Sequence, residues 1–451
     1  MKEKLPFSSY LAIGFMLFAL FFGAGNLIFP ASLGQNAGEN LWPAVFGFLI
    51  TGTGLPFLGV LAMGFSGSRN LQELASRVHP VYAVFFTALL YLTIGPFFAT
   101  PRTATVAYDI GFVPYVSEDM QQIGLIIFSF LFFAITLWLS LNPSKIVDRV
   151  GKMLAPGIVI LLGVLIIVAL FNPMGSFQSP QEAYTSGAFM KGFTEGYNTM
   201  DAIAALAFGI IVIHAIKGMG VTTKKGILNA TLKTGLVAVV LLSVIYVGIA
   251  YLGAISVERF GIFETGGPVL SSASDYYFGG LGAVILAIIL LLACLTTSIG
   301  LVTACAEYFH TLLPNISYKT YAVIFTLISF TIANFGLANI INYSIPVLMF
   351  LYPLAIVLVL LAFLSPLFNH SKWVYRAVIA VTFLISIVDG IKTFYDIFEI
   401  TYPTWLASIV SFYDRYLPAY TEGLGWLLPA LIVLVITAVL VRMANQRPAE
   451  S

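Results

Sequence analysis

The sequence predicts an all-α polytopic membrane protein with twelve transmembrane helices, arranged as two inverted five-helix units whose first helices are both broken, followed by two further helices. Three observations predict it. Of 451 residues, 59% are hydrophobic and only 9% are charged, against about 25% charged in an ordinary soluble domain. Apolar windows of about 20 residues, the length that crosses a bilayer, recur twelve times. The first and sixth windows hold glycines and amides at their centres, where a plain anchor would hold leucines.

The windows fall near 8–33, 41–64, 80–108, 122–141, 153–172, 191–215, 228–255, 280–306, 320–337, 340–365, 373–395 and 424–443. Residues 1–445 therefore read as one transmembrane domain. Within it, 8–172 is a first five-helix unit and 191–365 a second. The stretch 373–443 supplies two additional helices. An odd number of crossings per unit forces the second to run opposite to the first, the arithmetic of an inverted repeat.

Lys2 and Lys4 ahead of an apolar run imitate a signal peptide, but the run continues and no small-residue cleavage site follows, so it reads as a retained first span. Lys145, Arg149, Lys152, Lys217, Lys224, Lys225, Arg442 and Arg447 share one side of the predicted topology with Lys2 and Lys4, and acidic residues such as Glu182, Glu258 and Glu264 the other. The positive-inside rule places both termini in the cytoplasm. The longest polar intervals, 173–190, 256–279 and 396–423, are outer loops; 256–279 reads first as an ordinary connecting loop, with folding over an outer vestibule as the alternative. None is long enough for a soluble catalytic domain. A net charge of +1, with no dense run of Lys and Arg, argues against a nucleic-acid partner.

In span 1, Gly23-Ala24-Gly25-Asn26 interrupts the helix. Each Gly costs about 1 kcal/mol relative to Ala, and an Asn at membrane depth needs partners. Freed backbone groups are tolerated there only against protein or a wet cavity, where they can bind ions and small charged solutes. The alternative is that the glycines serve close helix packing. If span 6 mirrors span 1, it too is broken, and it reads Glu195-Gly196-Tyr197-Asn198-Thr199-Met200-Asp201.

Span 8 carries Cys294-Leu295-Thr296-Thr297-Ser298. The Cys294 carbonyl and the Thr297 and Ser298 side chains share a helix face, a hard-cation donor set when joined by carbonyls of a broken helix. The alternative is back-bonding of each hydroxyl one turn earlier. Arg102 in span 3 is predicted to pair with Asp201 or Glu195 as a gate, unless Glu195 lies at the surface and Arg102 snorkels. Tyr108 either reaches a substrate carboxylate or belongs to the aromatic belt. The four histidines lack metal-ligand spacing, Cys294 and Cys305 are about 16 Å apart along a helix, and neither a P-loop nor a nucleophile elbow occurs. These absences exclude an enzyme reading, and the lack of a symmetric filter motif disfavours an ion or small-solute channel.

F-F-G-A-G-N-L-I-F-P at Phe21–Pro30, G-Y-N-T-M-D-A at Gly196–Ala202 and the T-T-S of Thr296–Ser298 resemble the branched-chain amino acid:cation symporter family, the BrnQ-type bacterial carriers, within the leucine-transporter-like fold. The resemblance covers essentially the whole chain. It implies uptake of leucine, isoleucine and valine across the bacterial cytoplasmic membrane, with Na+ as coupling ion and no other cofactor. It further implies a Na+ site from the carbonyls of Ala19, Phe22 and Cys294 with the hydroxyls of Thr297 and Ser298. The substrate carboxylate would meet the N–H groups of Ala24 and Gly25, beside Gly23 and Asn26, and Tyr197, Asn198, Thr199 and Asp201 would face the ammonium. The wider fold usually has an Arg two residues before the Phe-Pro that ends span 1. Here that place falls in Leu27-Ile28, which leaves Arg102 as the candidate gate. Proton-coupled relatives put a Lys of span 5 in the sodium position. Here only Lys152 is available, at the cytoplasmic edge, so Na+ is favoured, while Asp201 keeps H+ open.

Overall fold

The computed structural model describes residues 5–141 and 146–446, with the side chains of 146–155, 445 and 446 excepted. Lys2, Lys4, Lys145 and Arg447, which carry part of the charge asymmetry, lie outside the described residues, as do the side chains of Arg149 and Lys152. The described chain is helical, with no strand among its elements. Nine helical runs in it are long and apolar enough to cross a membrane. Shorter apolar helices, Phe7–Phe21, Pro156–Phe171 and Tyr318–Ala333, occupy the intervals expected for spans 1, 5 and 9.

Span 1 is two helices, Phe7–Phe21 and Ala24–Ala37, separated by extended backbone at Phe22 (φ −70°, ψ 94°) and Gly23 (φ −128°, ψ −161°). The break thus lies slightly N-terminal to the centre expected from the glycines, because Ala24, Gly25 and Asn26 already form the first turn of the second helix. Span 6 is Ala188–Glu195, a tight turn at Gly196–Thr199, and Asp201–Gly218. Met200 joins them in the left-handed region, φ 64°, a conformation that a non-glycine residue holds only when its surroundings fix it. Two further irregularities were not expected. Span 2 widens at Ile50–Gly54, and span 3 kinks at Gly95 (φ −92°, ψ −119°), where Pro96 has no N–H to continue the helix.

The helices form two groups. Both halves of span 6 pack along span 2 (Leu41–Leu49 and Leu55–Ser66), and the second half of span 1 packs along span 7 (Lys224–Phe260). In the other group, span 8 lies against the second half of span 3 (Ala99–Gly111), and span 9 (Tyr318–Ala333) against span 4 (Glu118–Ser140). Span 11 (Lys372–Ile397) packs between spans 10 (Leu337–Leu364) and 12 (Leu427–Gln446).

All three intervals expected to be loops are partly helical, 173–190 at Glu182–Thr185. Gly267–Leu312 is helical throughout except for a kink at Gly279, and its start lies on span 1: a Cβ on Gly266 would come within 2.0 Å of the Ile28 carbonyl oxygen. The start of that helix therefore packs on the second half of span 1. Residues 396–423 include the helix Thr404–Tyr416.

Lipid offers no apolar driving force between helices, so close backbone approach has to supply the packing. Spans 1 and 7 achieve it reciprocally. A Cβ on Gly34 would sit 1.9 Å from the Ala250 carbonyl oxygen, and one on Gly253 would sit 2.2 Å from that of Ala31. Backbone cannot rotate away as a side chain can, so Gly34→Leu should cost at least the ~1–3 kcal/mol of ordinary overpacking. It should lower the melting temperature in detergent and erode the monodisperse gel-filtration peak. Gly163→Ala, where a Cβ meets nothing within 4 Å, should change neither.

Candidate substrate and ion site

The two interruptions meet. The Asn26 side-chain amide donates to Asp201 Oδ2 at 2.5 Å and also lies against the Tyr246 hydroxyl, which itself donates to Asp201 Oδ2 at 2.8 Å. Asn26, Asp201 and Tyr246 are 2%, 3% and 1% exposed, so the carboxylate is buried with two neutral donors on one oxygen. Asp201 is the first residue of the second half of span 6, where the N-terminal end of the helix dipole favours negative charge.

The Asn26 side chain works in both directions. Its carbonyl oxygen accepts from Gly23 N at 3.0 Å. In an unbroken helix Gly23 N would donate to the Ala19 carbonyl. Phe22 N still reaches Phe18 O at 2.7 Å, but the next donor has turned to Asn26, which leaves the Ala19 carbonyl without its helical partner. Ala24 and Gly25, the first N–H groups of the second half, line the same small cavity as Gly23 and Asn26.

Thr297 of span 8 faces this break. A Cβ on Gly23 would lie 3.1–3.2 Å from Thr297 Cγ2 and Oγ1, and Thr297 Oγ1 is buried without a hydrogen-bond partner. Of the three adjacent hydroxyls, Thr296 does back-bond, to Ala293 O at 2.8 Å. Ser298 is instead turned to span 4, accepting from Thr136 Oγ1 at 3.3 Å. The structure thus brings Thr297 to the gap in span 1 and leaves Ser298 beside it, engaged with Thr136. Cys294 is fully buried one turn earlier.

Arg102 is buried, 2% exposed, but not in the pairing expected of it. Neither an Arg102–Asp201 nor an Arg102–Glu195 ion pair forms. The guanidinium donates to backbone instead, to Asn198 O at 2.8 Å and Thr199 O at 3.5 Å, at the C-terminal end of the first half of span 6, where partial negative charge accumulates. It also stacks over the Phe29 ring at 5.0 Å. Gly25 makes room for it, since a Cβ there would lie 2.5 Å from Nη2. Glu195 is bound elsewhere, to Lys191 Nζ at 2.8 Å and the Asn198 amide at 2.8 Å.

Tyr108 is likewise not brought to the cleft. Its hydroxyl donates to the Gln121 carbonyl at 2.8 Å, because the helix carrying it packs on span 4. Tyr197 is buried and stacked on Tyr352, ring centroids 4.1 Å apart. Asn198 and Thr199 present their carbonyls to Arg102.

The cavity between spans 1, 3, 6 and 8 holds about 30 Å³, lined by polar Asn26, Arg102, Asp201 and Thr297 and by apolar Phe21, Ile94, Phe208 and Leu301. That is room for a water or an ion. Anything with an aliphatic side chain requires the spans to move apart.

Sequence reasoning missed Tyr246 and Tyr352. The only signal for Tyr246 was a phenol in the middle of a largely aliphatic span that also holds Tyr251, the sort of residue that needs a partner at membrane depth.

The family model described as "Branched-chain amino acid transport protein" matches residues 7–444. The chain belongs to that family. Among its curated relatives, the branched-chain amino acid permease BrnQ of Bacillus subtilis is 49% identical over 431 residues, 96% of each chain. The permease of the same name from Escherichia coli is 38% identical over the full length of both, and a branched-chain amino acid transport system 2 carrier protein of Pseudomonas aeruginosa is 40% identical over 98% of each. These family members are named as permeases and carriers, not as enzymes. Among solved structures, MhsT in complex with L-phenylalanine matches with a TM-score of 0.57 at 16% identity, over 95% of this chain and 98% of that one. Mhp1, a nucleobase-cation-symport-1 family transporter, matches at 0.62 and 13%, over 98% and 94%. At such identities the likeness concerns the fold, which is leucine-transporter-like. The family member described here is a multi-pass membrane transport protein.

Removing one of the two neutral donors on Asp201 should be tolerated by the fold but felt. Tyr246→Phe should destabilise by about 1–3 kcal/mol, the cost of a buried acceptor losing a partner. A thermal shift of the purified protein measures it, and an unchanged melting temperature would show that the cluster does not hold the breaks together.

Proposed function

We propose that the protein is a secondary transporter that takes up leucine, isoleucine and valine with Na+ by alternating access. In this reading it lies in a bacterial cytoplasmic membrane with both termini inside. The names of its relatives support the substrate class. The observation that carries the mechanism is the buried, unpartnered Thr297 hydroxyl facing the gap in span 1, next to a backbone whose Ala19 carbonyl has lost its helical donor.

In this reading Na+ sits between the carbonyls of Ala19, Phe22 and Cys294 and the hydroxyls of Thr297 and Ser298, joining the two helix groups. The substrate carboxylate takes the free N–H groups of Ala24 and Gly25 at a helix N-terminus. Its ammonium takes the carbonyl edge at Tyr197–Thr199 and the Asp201 carboxylate, and its branched side chain displaces the apolar walls. Ion and amino acid each stabilise the same closed arrangement of spans 1 and 6, so each raises the affinity for the other. Arg102 gates by releasing the Asn198 and Thr199 carbonyls to the ammonium.

Radiolabelled leucine uptake into proteoliposomes, with an inward Na+ gradient compared with choline at fixed pH, tests this. Na+ should drive concentrative uptake, and Thr297→Ala should raise the Na+ concentration needed for half-maximal rate by roughly 5–150-fold, the equivalent of about 1–3 kcal/mol. Uptake indifferent to Na+ but driven by a proton gradient would move coupling to Asp201. Absence of concentrative uptake under both gradients would sink the proposal.

A further inference from the structure

A second cavity lies on the other side of the span 6 turn. It holds about 380 Å³, within the ~300–1,000 Å³ typical of small-molecule pockets. Its walls are the first half of span 6, spans 10 and 11, and residues 420–423. Lys191 on its rim keeps 40% of its side chain exposed, so the cavity communicates with solvent.

Its charged lining is paired except for Glu422, which is exposed to solvent, and Asp389. Lys191 is bound to Glu195 at 2.8 Å, and Lys392 to Asp396 at 2.7 Å. Asp389 of span 11 is only 4% exposed, and its Oδ2 makes no well-aligned hydrogen bond, the neutral Tyr420 hydroxyl being its one adjacent donor. A buried carboxylate oxygen without a well-aligned donor is costly, and a cationic donor entering the cavity would relieve that cost. The neighbouring wall is apolar, from Met190, Ile345, Leu348 and Met349.

We propose that this cavity is a second binding site for a zwitterionic aliphatic amino acid, with the ammonium on Asp389, the side chain on the methionine-rich wall, and the carboxylate toward Lys191. The proposal rests on the transport reading above. A monatomic cation would satisfy Asp389 but leave both the volume and the apolar wall unused. The site communicates with the first through shared backbone: Asn198 lines this cavity, its amide holds Glu195, and its carbonyl holds Arg102.

The test is the stoichiometry of saturable [3H]leucine binding to the full-length protein in lipid nanodiscs with Na+. The wild type should bind two molecules per chain, and Asp389→Asn one. Gly187→Trp should also bind one, since it lines the cavity and a Cβ there meets nothing within 4 Å. Both variants should keep the wild-type melting temperature and Na+-driven uptake. A wild type that binds one molecule, or an Asp389→Asn protein that still binds two, overturns the second site while leaving the transport reading intact. A wild type with neither binding nor uptake overturns both.

Discussion

Two neutral donors on one buried carboxylate oxygen hold the centre of this protein together. Asn26 and Tyr246 both donate to Asp201 Oδ2, and through that atom the breaks in spans 1 and 6 are tied to each other and to the continuous span 7. A membrane interior offers no solvent to satisfy stray polar groups, so a broken helix survives only where protein supplies the partners. Each break here answers part of the other's demand. The N-terminus of the second half of span 6 steadies the Asp201 charge. Asn26 uses its oxygen on Gly23 N and its nitrogen on Asp201, so the same side chain stops one helix, starts the next and anchors a third.

Arg102 completes the electrostatics from the opposite side. The carbonyl end of the first half of span 6 carries partial negative charge, and the guanidinium from span 3 covers it. Carboxylate at a helix start and guanidinium at a helix end both lie in one small cavity wall without touching. That separation distinguishes the arrangement from a closed ion pair. Each charge is held by hydrogen-bonding groups that can be exchanged for those of a ligand, whereas a buried ion pair resists separation because breaking it leaves an uncompensated charge.

Much of this was legible in the residues because it follows from what lipid forbids. Gly23, Gly25 and Asn26 in an apolar run, and their counterparts Gly196, Asn198 and Asp201, announce interrupted helices. Thr297 stood out because hydroxyls in an aliphatic span are unusual. What could not be read were orientations set by tertiary packing. Arg102 had two carboxylates to choose from and took two carbonyls, because Lys191 lies one turn from Glu195 and satisfies it locally. Ser298 shares a pattern with Thr297 but is rotated toward span 4, where Thr136 waits. Tyr108 was drawn to a span 4 carbonyl by the contact between spans 3 and 4. Tyr246 and Asp389 gave weak signals, since one polar group per helix turn carries no periodicity.

The packing that surrounds the site also determines how it can open. Spans 1 and 7 approach so closely at Gly34 and Gly253 that their backbones cannot slide past each other without collision, so the second half of span 1 and span 7 move as one body. The Thr297 contact is of another kind: at Gly23 the neighbouring atoms are a methyl and a hydroxyl at ordinary-to-tight distance, with no backbone interlock. A rearrangement that separates the two helix groups therefore meets less resistance at the break facing span 8 than at the crossing with span 7. The cavity of about 30 Å³ lies at that weaker seam, bounded by Arg102 and Thr297 on one side and by Gly23, Asn26 and Asp201 on the other. Whatever bridges the seam, an ion at Thr297 or a solute between the breaks, has leverage on the relative position of both groups, alongside the two cross-group contacts already made there, Arg102 on the span 6 turn and Gly266 on the Ile28 carbonyl.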